Sequence, residues 1–373
     1  TIMLPSRWLI VLIVAACAHV ANAYTLSNES LARVLKPSAA QWIQVRSPTS
    51  LLSQILIPRV PGTQGHAEVR ERLTKPFFDA KDAHGRPKWH VELIPFEAPT
   101  PLGPRKFTNI VVTRDPGAAR KLVLAAHYDS KYYPEDSPSH GFVGATDSAF
   151  PCTLLVDTAM ALDAQLDAYT ANRTHARTSA LPLKDDVSLQ IMFLDGEEAF
   201  YSWTPEDSLY GARQLASLWA NTWEQPAWDS LRLEQRHAVG RFAPIRRVNT
   251  IQHMVLLDLL GAPNTTVPHY FASTRHVHKH FREIEERLLA TQQLWPRESV
   301  YQRIFSSERG LAGIEDDHLP FLRQGVPVVH LIPWPFPHVW HTRQDDASAL
   351  DQPTMDAWSR ILRVFTAEYL GLT

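Results

Sequence analysis

Cysteine is nearly absent from this chain of 373 residues, which contains only Cys17 and Cys152. Cys17 lies in an N-terminal stretch that we expect to be cleaved off, so Cys152 would remain alone and no intrachain disulfide could form. A chain of this length can bury enough apolar surface to fold without a disulfide. The fold must therefore depend on its hydrophobic core.

An excess of basic charge is also lacking. Lysine and arginine number 37 against 39 aspartate and glutamate residues, which gives a formal net charge of −2. Nucleic acid and anionic membrane surfaces therefore have no electrostatic support as partners. With 45% hydrophobic and 20% charged residues, the composition is that of an ordinary globular protein with one large core or two modest ones.

Long apolar runs are confined to the N-terminus. Arg7 precedes an apolar run over 8–16, and Ala-Asn-Ala follows at 21–23, which predicts a secretory signal peptide over 1–23. An uncleaved signal anchor is the alternative, but the run is short for a membrane span. No later stretch approaches about 18 apolar residues, so we expect the remaining chain to be soluble, secreted and free of membrane attachment.

Three Asn-x-Ser/Thr sequons, at Asn28, Asn172 and Asn264, agree with a secretory route. Each could occur by chance. Together with the N-terminal pattern, they predict a secreted glycoprotein.

Internal repeats and linkers are lacking as well, so residues 24–373 are predicted to form one domain. Near-continuous apolar segments read as strands at 89–96, 107–114, 121–127, 187–195, 253–262 and 326–332. Helical patterns occur at 151–169, 207–220, 274–294 and 351–371, and Thr63 is placed to cap a further helix. This alternation predicts an α/β fold, a single globular domain with a central, mostly parallel mixed sheet flanked by helices.

Four of these strands run directly into ionisable residues: His127, the pair Glu197-Glu198, Asp258 and His330. Ligands of open α/β sheets bind beyond the carboxyl ends of the strands, so these side chains should converge on one rim. Four residues are added to this set: Asp147 in "GATDSA", Asp316 and Asp317 in "GIEDDHLPF", and His341 in "VWHT". Such a group of Asp, Glu and His without cysteine fits a hard or borderline divalent metal, with zinc the first choice. A solvated strand end is the alternative for any single residue, but four strands ending in this way favour a site.

The adjacent Glu197 and Glu198 allow a division of labour. Successive side chains diverge, so one glutamate can bind the metal while its neighbour faces the substrate as a general base. The alternative is a charged helix start, where the helix dipole favours carboxylates. That alternative explains the charge but not the strand that runs into it.

The segment "LIPWPFPHVWHT" at 331–342 holds three prolines, two tryptophans and a phenylalanine. Three prolines at alternate positions exclude a helix or a central strand, so the segment is predicted to be a rigid loop. Bulky aromatic side chains on such a loop suggest the wall of a pocket, with a histidine at its end.

These blocks, with "HYDSK" (127–131), "GATDSAFPC" (144–152), "FLDGEEAF" (193–200), "LLDLLGA" (256–262) and "EDDHLPFL" (315–322), resemble the secreted animal and fungal glutaminyl-peptide cyclotransferases. The matching blocks extend from about residue 105 to 345, in the order and spacing of that family. The resemblance implies a zinc-dependent acyltransferase related in fold to zinc aminopeptidases. It would convert N-terminal glutamine of peptides and proteins, and more slowly glutamate, to pyroglutamate with release of ammonia.

The resemblance also implies a role for each matching residue. One zinc per chain would be held by Asp147, Glu198 and His341, and Glu197 would be the general base and acid. Asp258 and Asp316 would belong to the hydrogen-bonded network around the reacting nitrogen. Four further residues would bind the substrate: Trp203, Phe336 and Trp340 would shape a slot for its side chain, and His330 would lie at the pocket wall. We expect the enzyme to act as a monomer.

Three departures from the family pattern stand out. Ala126 replaces a cysteine that, in many relatives, pairs with the cysteine of "FPC", so Cys152 is implied to be a free thiol. Glu315 stands where mammalian relatives have glutamine. Trp334 and His338 lie where the aromatic loop varies, so preference beyond the first substrate residue can differ.

A secreted two-zinc aminopeptidase is the main alternative. The five ligands of such an enzyme could be supplied by His127, Asp147, Glu198, Asp258 and His341. The candidate ligands alone therefore do not distinguish an aminopeptidase from a cyclotransferase. The aromatic loop and Trp203, which narrow the site around a small side chain, favour the cyclotransferase. An inactive binding module is less favoured, because the base and all three implied ligands are present.

Two other groups are predicted to have no catalytic role. His276, His278 and His280 lie on the helix over 274–294, where a solvated surface is favoured over a second metal site. Asp129 and Lys131 follow His127 on a loop and are expected to form a structural ion pair.

Overall fold

The computed structural model describes residues 25–36, 40–178, 186–224, 245–295 and 302–373. The signal peptide predicted over 1–23 lies outside the described residues. Within them, no helix is both long and apolar enough to cross a membrane.

A six-stranded mixed sheet forms the centre of the structure, and its strands are β1 (His90–Ala98), β2 (Arg105–Thr113), β3 (Arg120–His127), β4 (Val187–Leu194), β7 (Ile251–Leu257) and β10 (Val328–Leu331). Their order across the sheet is β1-β2-β4-β3-β7-β10. The β1/β2 and β2/β4 pairs are antiparallel, and the β4/β3, β3/β7 and β7/β10 pairs are parallel. The predicted mostly parallel mixed sheet is confirmed.

Two small pairs of strands lie outside this sheet. One is antiparallel, between β5 (Trp223–Glu224) and β6 (Ile245–Arg246), and the other is parallel, between β8 (Val267–His269) and β9 (Phe305–Arg309).

Helices flank the sheet: α1 (Asn28–Val34), α2 (Ala40–Ile43), α3 (Leu51–Ile55), α4 (Gln64–Asp79), α5 (Phe150–Ala161), α6 (Asp163–Thr178), α7 (Tyr210–Asn221), α8 (Arg275–Ala290), α9 (His318–Arg323) and α10 (Gln352–Leu370). Thr63 caps α4 as predicted, since its hydroxyl accepts a hydrogen bond from the His66 amide. The single helix predicted over 151–169 is instead divided at Leu162 into a buried α5 and an amphipathic α6.

The helix predicted from residue 207 begins only at Tyr210. Asp207 is used differently: its carboxylate accepts hydrogen bonds from the amides of Phe200, Tyr201 and Ser202. It therefore fixes the loop that follows β4 rather than the first turn of α7.

The core lies on both faces of the sheet. Along β3, Leu122 and Leu124 pack into the cluster that contains α5 and α10, while Val123 and Ala125 pack into the cluster beneath α7. Successive strand residues point to opposite faces, so a strand buried on both sides must be apolar throughout. This explains the uninterrupted apolar run that ends at His127.

Candidate metal centre and substrate pocket

Three acidic or histidine side chains from distant parts of the chain meet at the carboxyl edge of the parallel strands. Asp147 lies in the turn Ala145–Ala149 before α5, Glu198 follows β4, and His341 ends the aromatic loop after β10. The His341 Nε2 atom is 3.4 Å from Asp147 Oδ2 and 3.2 Å from Glu198 Oε1. The three ligand atoms lie within 4.8 Å of one another, a spacing that suits a metal-binding triad.

The donor atoms of this triad fit a cation. Asp147 Oδ2 and Glu198 Oε1 are buried, and neither accepts a hydrogen bond from any described residue. A buried carboxylate oxygen without a partner is costly unless an ion satisfies it. Burial lowers the pKa of His341, but the Glu198 and Asp147 carboxylates outweigh it and raise that pKa to about 10. The two carboxylates thus create a negative potential at His341, which would favour a divalent cation such as zinc once the imidazole has lost its proton.

A second set, formed by His127, Asp147 and Asp258, shares Asp147 with the first. Here one oxygen of each acid already has a partner. His127 Nε2 is 3.0 Å from Asp147 Oδ1, and Asp258 Oδ1 accepts hydrogen bonds from the Ser148 hydroxyl and the Leu259 amide. The two sets thus differ in one respect: His127 Nε2 and these two oxygens are already hydrogen-bonded, whereas Asp147 Oδ2 and Glu198 Oε1 of the first set have no hydrogen-bond partner.

Arg59, which the sequence analysis did not single out, supports the turn that carries Asp147. Its guanidinium is fully buried, and Nη2 donates to the carbonyls of Gly144 and Asp147, both at 3.0 Å. Nε donates to the Tyr128 carbonyl at 2.8 Å, and Nη1 donates to the Val143 carbonyl. This arginine holds the turn through carbonyl groups alone, a role that no local pattern around "LIPRVPG" signals.

The turn is restrained from its other side by Asp345. Its carboxylate accepts from the Thr146 amide at 2.8 Å, and its carbonyl accepts from the Ala145 amide at 2.9 Å. Gly144 is required here, because its φ is +49° and an added Cβ would lie 2.0 Å from the Asp147 carbonyl oxygen. The orientation of the Asp147 carboxylate is thus set by groups on both sides of the turn.

The two adjacent glutamates are oriented by Asp129. Its Oδ1 accepts from the Glu197 amide at 3.1 Å, and its Oδ2 accepts from the Glu198 amide at 3.2 Å. Lys131 Nζ donates to Glu198 Oε2 at 3.0 Å, which leaves Oε1 of that residue facing the triad. The expected Asp129–Lys131 ion pair is therefore wrong: both residues contact the glutamates instead, because the loop after β3 lies beside the loop after β4.

Glu197 borders the cavity next to the triad, as a base must. Burial, and then the nearby carboxylates of Glu198 and Asp316, raise its pKa well above the ordinary value, with His127 acting in the opposite sense. A raised pKa is the usual property of a carboxylate that exchanges protons with a substrate.

Asp258 also borders the cavity, whereas Asp316 and His330 lie behind its wall. His330 Nε2 is 2.7 Å from Asp316 Oδ2, and both side chains are buried. Burial raises the pKa of Asp258 to about 6, although His127 opposes the shift. The structure therefore brings Asp258 to the cavity surface and pairs Asp316 with His330 beneath it.

The cavity has a volume of about 580 Å³, and aromatic rings form much of its wall. Trp340 stacks on His341 with centroids 4.1 Å apart, Phe336 meets Trp340 at 4.9 Å, and Trp203 Nε1 donates to Glu315 Oε2 at 2.7 Å. Such a site can hold a small side chain between aromatic walls and next to a bound cation. It combines that slot with a neighbouring carboxylate that can move a proton.

Cys152 is a free, buried thiol, as the alanine at position 126 implied. Its Sγ lies 3.1 Å from the His127 carbonyl oxygen, and burial raises its pKa to about 12. A thiol in this state is unreactive at neutral pH.

Comparisons with known proteins agree with this geometry. Residues 109–366 match peptidase family M28. The chain is 45% identical to a glutaminyl-peptide cyclotransferase-like protein of Bos taurus over 87% of this chain and 75% of that protein. It is 41% identical to a glutaminyl-peptide cyclotransferase of Gloydius blomhoffii over 88% of this chain and 84% of that protein. The crystal structure of Macrostomum lignano glutaminyl cyclase superposes with a TM-score of 0.75 at 30% identity, over 94% of this chain and 95% of the other.

Proposed function

This chain belongs to peptidase family M28 and to the glutaminyl-peptide cyclotransferases. On that basis we propose that Asp147, Glu198 and His341 hold a single zinc and that Glu197 is the catalytic base of the enzyme. The enzyme converts N-terminal glutamine of peptides to pyroglutamate. The unpartnered Asp147 Oδ2 and Glu198 Oε1 beside His341 Nε2 are the observation that carries the proposal. Glutamate at the N-terminus would be a slower substrate.

The reaction joins the substrate α-amine to its own γ-carboxamide carbon and expels ammonia. Bound zinc would polarise the γ-carbonyl and stabilise the negative charge that develops on its oxygen. Glu197 takes a proton from the attacking amine and returns it to the departing nitrogen. Asp258, at the cavity surface, is placed to accept a hydrogen bond from the reacting nitrogen, and the Asp316–His330 pair supports the wall behind it.

The aromatic slot supplies orientation. Trp203, Phe336 and Trp340 line a narrow space in which the glutamine side chain must curl back towards its own amine. Holding two reacting groups together in this way can lower the activation free energy by on the order of 7 kcal/mol or more in favourable cases. The same rings exclude water, whose attack would give glutamate instead of pyroglutamate.

A single zinc is supported over the two metals of an aminopeptidase by how the polar atoms are used. His127 Nε2 faces Asp147 Oδ1 at 3.0 Å, and the Ser148 hydroxyl donates to Asp258 Oδ1. A second metal at His127, Asp147 and Asp258 would have to break these bonds. The first triad offers its oxygens without such a cost.

We also propose that the protein is secreted, glycosylated and monomeric, and that it acts on peptide substrates. The sequon asparagines Asn28, Asn172 and Asn264 all lie on exposed positions, where a glycan can be attached. We also retain the cleavage of residues 1–23 and a catalytic domain over 24–373 as parts of this proposal.

Mass spectrometry of a Gln-initiated peptide incubated with the enzyme tests the function directly. We expect the peptide to lose ammonia and its free amine, with no residue released. Matched incubation with a Glu197→Gln variant should leave the peptide unchanged. Release of free amino acids from ordinary peptides, without pyroglutamate, would instead favour the aminopeptidase.

A further inference from the structure

The mouth of the catalytic cavity is more apolar than its floor. Tyr201, Leu311 and Trp334 all border it and are exposed by 85%, 51% and 40%, and the slot residues Trp340 and Trp203 are exposed by a similar 41% and 38%. Large apolar side chains grouped in this way on a surface mark a binding site more often than chance exposure does. The cyclisation chemistry, which takes place at the triad, gives these three residues no task.

Trp334 lies at the outer end of a row of rings that starts at the metal site. Its ring meets Phe336 at 5.3 Å, Phe336 meets Trp340 at 4.9 Å, and Trp340 stacks on His341 at 4.1 Å. The Trp334 amide also donates to the Thr266 carbonyl at 2.9 Å, which anchors the backbone of this residue. The row therefore holds the indole ring of Trp334 beyond the slot for the glutamine side chain.

The direction of the substrate follows from the reaction. Its α-amine and γ-carboxamide must both lie at the triad, so the carbonyl of the first residue has to lead the rest of the peptide outward. The side chain of the second residue is then the first group to pass the mouth of the cavity. Tyr201, Leu311 and Trp334 are the exposed apolar residues of the cavity lining that are available to contact it there.

Charge at the mouth favours an uncharged occupant. Of the described residues that line this outer part, Glu315 alone is ionisable as an acid or base at neutral pH, and its carboxylate accepts from the Trp203 indole. Lys131, deeper in the cavity, is paired with Glu198. An acidic side chain would meet Glu315 without a cation to offset it, whereas an aromatic ring would bury apolar surface.

We propose that Trp334, Tyr201 and Leu311 form an outer subsite that binds an aromatic or large aliphatic side chain at the second position of the substrate. This inference rests on the proposed function, since it assigns the residue that follows the cyclised glutamine. The occupant gains binding energy without touching the reacting atoms. Its effect is therefore expected mainly in KM.

Steady-state kinetics with three peptides that differ only at position two, Gln-Phe, Gln-Ala and Gln-Asp, test the subsite. For the unmodified enzyme we expect kcat/KM for Gln-Phe to exceed that for Gln-Ala by about five- to tenfold, the range for a partly buried ring contact. Gln-Asp should be the poorest of the three. In Trp334→Ala the Phe/Ala ratio should fall towards one.

Two further variants keep the test decisive. Phe78→Ala removes an exposed aromatic ring that does not line the cavity and should preserve the Phe/Ala ratio. Leu311→Glu adds a negative charge to the mouth and should raise kcat/KM for Gln-Lys relative to Gln-Phe, even if Trp334→Ala folds poorly.

An unmodified enzyme that turns over Gln-Phe and Gln-Ala equally would overturn the subsite, while its turnover of both would leave the proposed function intact. The subsite would also be overturned if the Phe/Ala ratio of kcat/KM stayed unchanged in Trp334→Ala and the Gln-Lys to Gln-Phe ratio stayed unchanged in Leu311→Glu. Failure to cyclise any of these peptides would instead overturn the proposed function, and the subsite with it.

Discussion

Glu197 and Glu198 are neighbours in the chain but are held in different environments. Glu198 divides its carboxylate between Lys131 and the triad, while Glu197 faces the cavity. Asp129 binds both backbone amides and so fixes how the two side chains diverge. Such an arrangement lets one residue bind a metal without compromising the proton transfer of the other.

Substitution of the two glutamates should separate these tasks. Glu197→Gln should keep its zinc and lose turnover by about 10²- to 10⁴-fold, the usual contribution of a general base. Glu198→Ala should lose the metal, because one of the three proposed protein ligands is gone. Metal analysis beside kcat for both purified variants checks this, and equal zinc content in the two would contradict the division of labour.

Arg59 should influence zinc through the turn that holds Asp147. In Arg59→Lys a compact ammonium cannot reach the carbonyls of Tyr128, Gly144 and Asp147 at once. We expect zinc affinity to fall by about 10- to 100-fold, as for other groups that orient a ligand. Chelator competition measures the affinity.

Arg363→Lys is the matched control for this prediction. Arg363 is also buried, but it pairs with Asp157 in the contact between α5 and α10, away from the triad. Its substitution should lower the free energy of unfolding and leave zinc affinity unchanged. If the two variants lose zinc equally, general destabilisation would account for the effect and Arg59 would have no positioning role.

Helix α8 differs from its prediction in which of its residues are buried. Its three histidines were expected on a solvated surface, yet His278 is buried and its Nε2 lies 3.1 Å from the Val267 carbonyl oxygen. The buried face of the helix includes Val277, Phe281 and Ile284, and His278 lies beside it. The polarity of histidine concealed this position in the sequence, because an imidazole with one carbonyl partner can be buried in its neutral form.

His278 should make the protein sensitive to acid. Burial, with Arg282 and His269 acting in the same direction, lowers its pKa to about 4, against an ordinary value of 6.5. Its neutral form is favoured in the folded state, so its stabilising contribution is complete above pH 6.5 and is lost as the pH falls towards 4. Between pH 7 and pH 5 this amounts to about 2 kcal/mol of unfolding free energy.

Urea unfolding at these two pH values measures that loss. His278→Gln keeps a donor for the Val267 carbonyl but cannot titrate, so its loss should be smaller than that of the unmodified protein by about 2 kcal/mol. His84→Gln, at an exposed loop position, should behave like the unmodified protein. The same pH dependence in all three proteins would show that His278 is not responsible.

The folded chain as a unit shows what an amino-acid sequence can and cannot predict. Apolar runs that end in ionisable residues were sufficient to predict the sheet and to place Glu197, Glu198 and Asp258 at one edge, since parallel strands share that edge. Strand order was not predictable, because β4 pairs with both β2 and β3 through contacts that leave no local pattern.

Supporting groups were also missed. Arg59 binds a turn more than eighty residues away, as its contact with Gly144 shows, and Asp129 binds amides rather than its neighbour Lys131. Both act through backbone groups, which every sequence has and no motif marks. The proposed ligands could be predicted from their residue types and the family resemblance, whereas the groups that orient them required the fold.

The number of zinc ions needed for activity tests the central claim most directly. Enzyme freed of metal by a chelator would be titrated with zinc while cyclisation of a Gln-initiated peptide is followed. Activity should be absent at the start and reach its plateau at one zinc per chain, because the Asp147, Glu198 and His341 triad brings two unpartnered carboxylate oxygens, Asp147 Oδ2 and Glu198 Oε1, beside a ring nitrogen. A plateau at two zinc ions per chain, or full activity before any zinc is added, would contradict this account.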